Sequence, residues 1–251
     1  MKYSSRFWLY APISLVILLA IATGVHWKIA ASAFEKRLAA LNHHQAAPGI
    51  TLDWKDVAVG GFPFRLDAEF TGFTARGQGA HGPFAWTTPL VAMHSLTYGR
   101  AKHVFEATGQ QMLRWTDAGG QEREVHFLPA TLRASAITDA AGLARFDLDI
   151  LDAGSPDFTV GRFQIHVRRD PDGTDLDLML KADSVKALGG NRKQVQVYAT
   201  LTKAALLMPL LQGQARWPDT AANWRAKGGA AKLSQIIAPG LPPDALLSAL
   251  Y

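Results

Sequence analysis

Hydrophobic residues change rhythm twice along the 251-residue chain, and the changes divide it into three parts. Phe7 to Val25 (FWLYAPISLVILLAIATGV) is 19 residues without a charge. At about 1.5 Å per residue such a helix spans roughly 28 Å, close to the hydrocarbon thickness of a bilayer. Trp8 and Tyr10 towards one end and Trp27 at the other stand where amphipathic rings favour the headgroup region. From Ile29 the apolar residues Ile29, Ala30, Ala33, Phe34, Leu38 and Leu41 recur three and four apart, with Ser32, Glu35 and Lys36 opposite. That spacing predicts an amphipathic helical stalk over 29–48. From Gly49 the period becomes two. Ile50, Leu52 and Trp54 alternate with Thr51 and Asp53, Val57 and Val59 follow in the opposite phase, and Phe62, Phe64, Leu66, Ala68 and Phe70 restore the first. A one-residue slip turns every side chain to the other face, so a turn or bulge is expected at the phase change.

The stretch GGFPFRLDAEF, Gly60 to Phe70, concentrates this problem. Gly60 and Gly61 allow positive φ or close backbone approach, which suits a chain that must turn after Val59. Beyond them, Phe62, Phe64, Leu66 and Phe70 are expected to face a core, while Arg65, Asp67 and Glu69 face away. Pro63 has no N–H to give to a ladder and is expected at the start or edge of a strand. Arg65 and Asp67 are neighbours on the polar face and are expected to pair. Phe62, Pro63, Phe64 and Arg65 are the candidate binding residues, with Arg65 suited to a partner or an anionic headgroup.

The alternation recurs at Phe146–Ile150, Phe163–Val167, Leu176–Leu180 and Val195–Val197, and more weakly at Leu90–Tyr98, Val104–Ala107, Met112–Thr116 and Glu124–Leu128. Turn clusters separate these runs, including Asp170-Pro-Asp-Gly173 and Gly189-Gly-Asn191. The last fifty residues differ: Lys203–Leu211 and Asp244–Leu250 read as short helices, and the segment from Trp217 to Leu233 reads as a loop and a short strand. The fold class expected is mainly β, an antiparallel curved sheet or sandwich spanning 49–251, preceded by a transmembrane helix over 1–28 and the stalk, and ending in short helices.

Charge narrows the partners. Lys and Arg number 26 against 21 Asp and Glu, but Lys2, Arg6 and Lys28 flank the apolar segment, leaving 23 against 21 from residue 29 onward. So weak and scattered an excess argues against nucleic acid. The chain has no cysteine, which excludes disulfides, thiol nucleophiles and thiolate metal sites.

No residue pattern marks catalysis. Asp147 with Asp149 and Asp175 with Asp177 each share the polar face of an expected strand, whereas acid–base chemistry needs carboxyls in contrasting environments. The DPDGTDLD run at Asp170–Asp177 lacks calcium-loop spacing and suits a hairpin turn. The eight histidines show no metal-binding spacing. No phosphate loop, dinucleotide fingerprint or nucleophile elbow is present. No cofactor, metal or enzymatic activity is expected. A hydrolase would require a converged polar cluster in a pocket, for instance His94 or His126 beside a carboxylate.

Ala20-Ile21-Ala22 has the form of a signal-peptide cleavage site, yet the apolar run continues past it into a helical pattern, favouring a retained anchor. The anchor followed by a stalk, VAVGGFPFRLDAEF at Val57–Phe70 and HGPFAWTTP at His81–Pro89 together resemble the bacterial domain-of-unknown-function family numbered 2125, found mainly in alphaproteobacteria, with the likeness strongest over 7–100. The resemblance implies a membrane-tethered envelope protein and supplies no catalytic residues. The expectation is therefore a single-pass inner-membrane protein with its C-terminal domain in the periplasm, acting as a binding or scaffold module that presents an apolar groove to lipids or amphiphiles. The alternative partner is an envelope protein, held at a strand edge near Pro63 or at the stalk.

Overall fold

The computed structural model describes residues 5–237 apart from positions 80, 97–100, 157, 171, 188–189 and 212–213. It opens with a single helix, α1 (Ser5–Leu41). Strands then follow in close succession: β1 (His44–Ala47), β2 (Ile50–Asp53), β3 (Asp56–Gly60), β4 (Arg65–Gln78), β5 (Pro83–Leu96), β6 (Lys102–Thr108), β7 (Gln111–Thr116), β8 (Glu122–Phe127), β9 (Thr131–Asp139), β10 (Gly142–Gly154), β11 (Phe158–Arg169), β12 (Leu176–Ala187) and β13 (Gly190–Leu201). A 3-10 turn at Ala204–Leu207, α2 (Met208–Leu211), α3 (Trp217–Ala226) and β14 (Ala231–Ile237) complete the described chain.

All the strands belong to one antiparallel sheet, which is open and is the curved-sheet alternative of the sequence reading, not the sandwich. Its order is β1-β2-β4-β5-β6-β9-β10-β11-β12-β13-β14. The 14-residue strands β4 and β5 form its spine. Each is long enough to hold two successive partners along one edge: β3 then β2 on β4, β7 and β6 on β5.

Period-two sorting holds along these strands. Ala68 and Phe70 of β4, Val91 of β5, Ala107 of β6 and Leu132 of β9 are buried on one face, here the inner face, while Arg65, Asp67 and Glu69 lie on the outer one. Trp54 and Phe73 pack with Phe70, the ring centroids of Trp54 and Phe70 lying 4.9 Å apart.

The second half of α1 closes this core. Leu38 is 6% exposed and belongs to the same cluster, with Phe34 and Leu41 packed against it. The helix is tied at both ends of this contact. Trp27 Nε1 donates to the Arg65 carbonyl at 2.8 Å, and Asn42 Nδ2 donates to the Trp54 carbonyl at 3.2 Å. α1 stops at Leu41 and not at the expected stalk end, because the chain turns at His43, whose φ is 62°, and enters β1. His43 N donates to Leu52 O at 2.9 Å.

Three local features depart from the sequence reading. First, β4 begins at Arg65, and Phe62 and Phe64 are 59% and 60% exposed outside the core, with Leu66 half-buried. Gly61 adopts φ +97°, and Arg65 N donates to Gly61 O at 2.8 Å, closing a turn around Phe62-Pro63-Phe64. A Cβ on Gly61 would lie 2.8 Å from the Arg65 carbonyl oxygen, so glycine is required there; Gly60, paired with Asp67 in the ladder, has open space around it and is not. Secondly, Trp217–Ala226 is a helix, not a loop. Pro218 in its first turn needs no hydrogen bond, Asp219 suits the N-terminal dipole, and Trp224 Nε1 donates to Thr202 O at 2.6 Å. Thirdly, β9 gave no clear alternation, since Ala134, Ser135 and Ala136 carry little apolar contrast. The helix expected at Asp244–Leu250 lies outside the described residues.

Twist shapes the whole. Adjacent strands rotate by roughly 20–25°, so the six steps from β4 to β12 accumulate about 120–150°. The chain after β13 therefore reaches the other end of β4: Leu210, Arg216 and Trp217 meet Gly49, Gln78 and Phe84 around a cavity of about 200 Å³. A second small core, Leu176, Ala204 and Leu207 with Val167 and Trp224, caps the inner face there.

Leu38 anchors the helix to the sheet, so Leu38→Ala should lower the stability of the sheet by about 2–4 kcal/mol. Thermal unfolding in detergent, followed by tryptophan emission, measures this; an unchanged midpoint would mean that α1 does not contribute to the core.

Candidate functional site

The four candidate residues Phe62, Pro63, Phe64 and Arg65 stay together, but on a turn rather than on a strand. Pro63 lies two positions before β4, in the turn and not in a strand. The turn instead leans on α1. The Trp27 and Phe62 rings meet edge to face with centroids 5.5 Å apart, beside the hydrogen bond from Trp27 to Arg65 O. Trp27 lies just past the charge-free stretch of the helix.

Leu96, 38% exposed, pairs with Arg65 across the ladder and adds to this apolar tip. Beside it on the outer face is a cavity of about 240 Å³ lined by Arg65, His94, Ser95, Leu96, Lys102 and Val104. Arg65 grips Asp67 in a fork, Nε to Oδ1 at 3.1 Å and Nη2 to Oδ2 at 2.5 Å, as the sequence spacing predicted. His94 Nδ1 lies 2.8 Å from Asp67 Oδ1. Burial pushes the Asp67 carboxyl up, but hydrogen bonds and charge from Arg65 and His94 outweigh it and hold the group below the ordinary carboxylate value.

The same device occurs again. Arg145 holds Asp147 in a fork at 2.7 and 3.1 Å, and His166, directly opposite Asp147 on β11, brings Nδ1 to 2.6 Å from Oδ1. Here also burial raises the carboxyl and the arginine and histidine together bring it below its ordinary value. Both are Arg-x-Asp with a histidine at the cross-strand position. The recurrence of RLD at 65–67 and RFD at 145–147 was visible in the sequence; the histidines were not, because their pairing follows from strand register.

The other sequence candidates separate. Asp149 pairs with Arg162, Asp177 accepts from Thr200, and Asp175 accepts from the Lys203 backbone, so neither carboxylate pair acts as a unit. Asp170–Asp175 closes the β11–β12 hairpin, with Gly173 N donating to Asp170 O at 3.0 Å. His126 Nε2 lies 2.6 Å from Glu124 on an exposed strand. Ser95 Oγ and His103 Nδ1 are 2.7 Å apart, a nucleophile–base distance, but among the described residues no carboxylate bonds His103. No group of three metal-ligating side chains occurs among the described residues.

The inner face offers a different surface. On β10, β11, β12 and β13 the rows Phe146-Leu148-Ile150, Phe163-Ile165-Val167, Leu178-Leu180 and Val195-Val197 stand side by side and are half-buried, not buried. Leu148 and Ile150 also pack against the α1 core, and Val167 against the second core.

Residues 27–240 match the family described as "Uncharacterized protein conserved in bacteria (DUF2125)". The chain belongs to the DUF2125 family. The DUF2125 match extends well beyond the 7–100 stretch that carried the sequence resemblance, and it starts at Trp27, so it takes in the packing half of α1, the turn and the sheet to its last described strand. No curated protein and no solved structure matches the chain. Among the described residues of this DUF2125 protein, one helix, Tyr10–Leu41, is long and apolar enough by length and composition to cross a membrane.

The Asp147 cluster gives a pH dependence with a definite sign. A carboxyl depressed in the folded state contributes stability in full above its unfolded value, ordinarily 3.8, and loses it as pH falls through that value towards the depressed one. Asp147→Asn should cost about 1–2 kcal/mol at pH 7 and flatten the loss of stability between about pH 5 and pH 3. Denaturant titrations at several pH values measure this; parallel wild-type and variant curves would exclude the cluster as a source of acid sensitivity.

Proposed function

We propose that this DUF2125 protein is a membrane-tethered binding module of the cell envelope, whose open apolar sheet face takes the acyl chain of a lipid or other amphiphile, and that it catalyses no reaction. The observation that carries the reading is the inner face of β10–β13, where four adjacent strands present half-buried aliphatic and aromatic rows. A sheet face of that composition binds apolar matter, and a tether of α1's length keeps it beside a bilayer, where the abundant apolar matter is lipid.

The polar clusters support the absence of catalysis. Asp67 and Asp147 are held charged by arginine forks, which suits structural ion pairs and opposes proton transfer near neutrality. For topology, we place the sheet on the periplasmic side of an inner membrane. Cations flank both ends of the span, Lys2 and Arg6 before it and Lys28, Lys36 and Arg37 after it, so flanking charge does not decide the orientation; a long domain after a single anchor is translocated largely regardless of such charge.

The test is photocrosslinking of the full chain in vesicles containing a phospholipid with a diazirine midway along its acyl chain. Adducts are expected on peptides from Phe158–Arg169 and Leu176–Ala187 as well as on α1. Ile165→Glu should remove the sheet adducts at least severalfold while leaving those on α1. Adducts confined to α1 in the wild type would contradict lipid binding by the sheet.

A further inference from the structure

Outside α1, six large apolar side chains are exposed among the described residues: Ile50, Phe62, Phe64, Leu96, Leu128 and Trp217. Three of the six, Phe62, Phe64 and Leu96, gather at one place around Arg65. That place is fixed against α1 by the Trp27 contacts with Phe62 and with the Arg65 carbonyl. Trp27 is two residues past Val25, where the charge-free stretch ends, a rise of about 3 Å along the helix. If the helix spans a bilayer, the aromatic tip therefore lies at the height where hydrocarbon gives way to headgroups. Aromatic rings concentrate at that height. Arg65 and Lys102, which line the adjoining cavity, lie on the outer face at the same end of β4 and β6, where cations meet lipid phosphates.

We propose that the Phe62-Pro63-Phe64 turn is a second membrane contact: it inserts into the interfacial layer of the same bilayer that α1 crosses, with Arg65 and Lys102 against the phosphates. Its ligand is the bilayer surface itself, and the proposal rests on the tether reading of α1. A single spanning helix leaves the attached domain free to rotate and tilt. A second contact, rigidly joined to the helix through Trp27, holds β4 at a set angle to the membrane and fixes which way the inner face opens.

The chain has no cysteine, so single-cysteine variants of the full protein take one label each. Val16→Cys reports on the span, Phe64→Cys on the turn, and Ala118→Cys on the exposed β7–β8 turn, beyond the opposite end of β5 from Leu96. Each carries an NBD fluorophore in vesicles of phosphatidylethanolamine and phosphatidylglycerol, and quenching is read from doxyl groups at two depths. The proposal predicts strong quenching of Val16→Cys by the deep doxyl lipid, of Phe64→Cys by the shallow one, and of Ala118→Cys by neither. In a second pair, a label at Leu96→Cys should be quenched by the shallow lipid when both phenylalanines are present, and should fall severalfold, towards the Ala118→Cys level, in a Phe62→Ser, Phe64→Ser background. A deep Val16→Cys with a Phe64→Cys as wet as Ala118→Cys overturns the turn's insertion and leaves the tether standing. An unquenched Val16→Cys overturns both. A Leu96→Cys signal indifferent to loss of the phenylalanines overturns their role.

Discussion

The contact on which the other features depend is between the second half of α1 and the inner face of the sheet. Phe34, Leu38 and Leu41 belong at once to a helix that continues an apolar span and to the cluster formed by Trp54, Phe70, Phe73 and Val91. From Trp27 to Leu41 the helix advances about 21 Å, running from the Arg65 end of β4 towards Ala75, the residue paired with Leu52. A helix in that position does what a second sheet does in a sandwich, covering apolar side chains that a single sheet cannot hide from water. It also converts what the sequence describes as a stalk into part of the core, so the apolar span and the sheet share one rigid element.

Openness and twist follow from the same economy of cover. α1 shields the β4–β6 region, and the 3-10 turn with Trp224 shields the start of β12, but the rows between them on β10–β13 stay half-buried. Because twist carries the later strands round, the C-terminal helices cross to the far end of β4 and close against Gly49 and Phe84. The outer face needs no such cover. Two of its carboxylates, Asp67 and Asp147, are neutralised in place by arginines two residues before them and histidines across the ladder.

Period-two patterning in the sequence located most of the sheet: β2–β8 and β10–β13 each overlap a run of alternating residues. It failed at Phe62 and Phe64 for a physical reason. Alternation records which side a residue would take in a strand, and it carries no information about where the strand starts; that was set by the φ of Gly61 and the missing N–H of Pro63. Alternation alone therefore puts the aromatic pair in the core, whereas it marks a protruding tip. Trp27 was legible as an interface residue of the helix, but its bond to Arg65 joins residues 38 positions apart and follows only from the docking of α1. The Asp67–His94 and Asp147–His166 contacts were hidden for the same reason, since register across a hairpin, not spacing along the chain, brings them together.

Hydrogen–deuterium exchange on the full chain in lipid nanodiscs tests the shared helix most directly. If residues 28–41 belong to the sheet's core, their amides exchange as slowly as those of the central part of β4 and β5, and lose protection together with them when denaturant is added. Fast exchange across 28–41 while β4 and β5 remain protected would contradict the account, because α1 would then be a loose linker and neither the turn nor the inner face would have a fixed relation to the membrane.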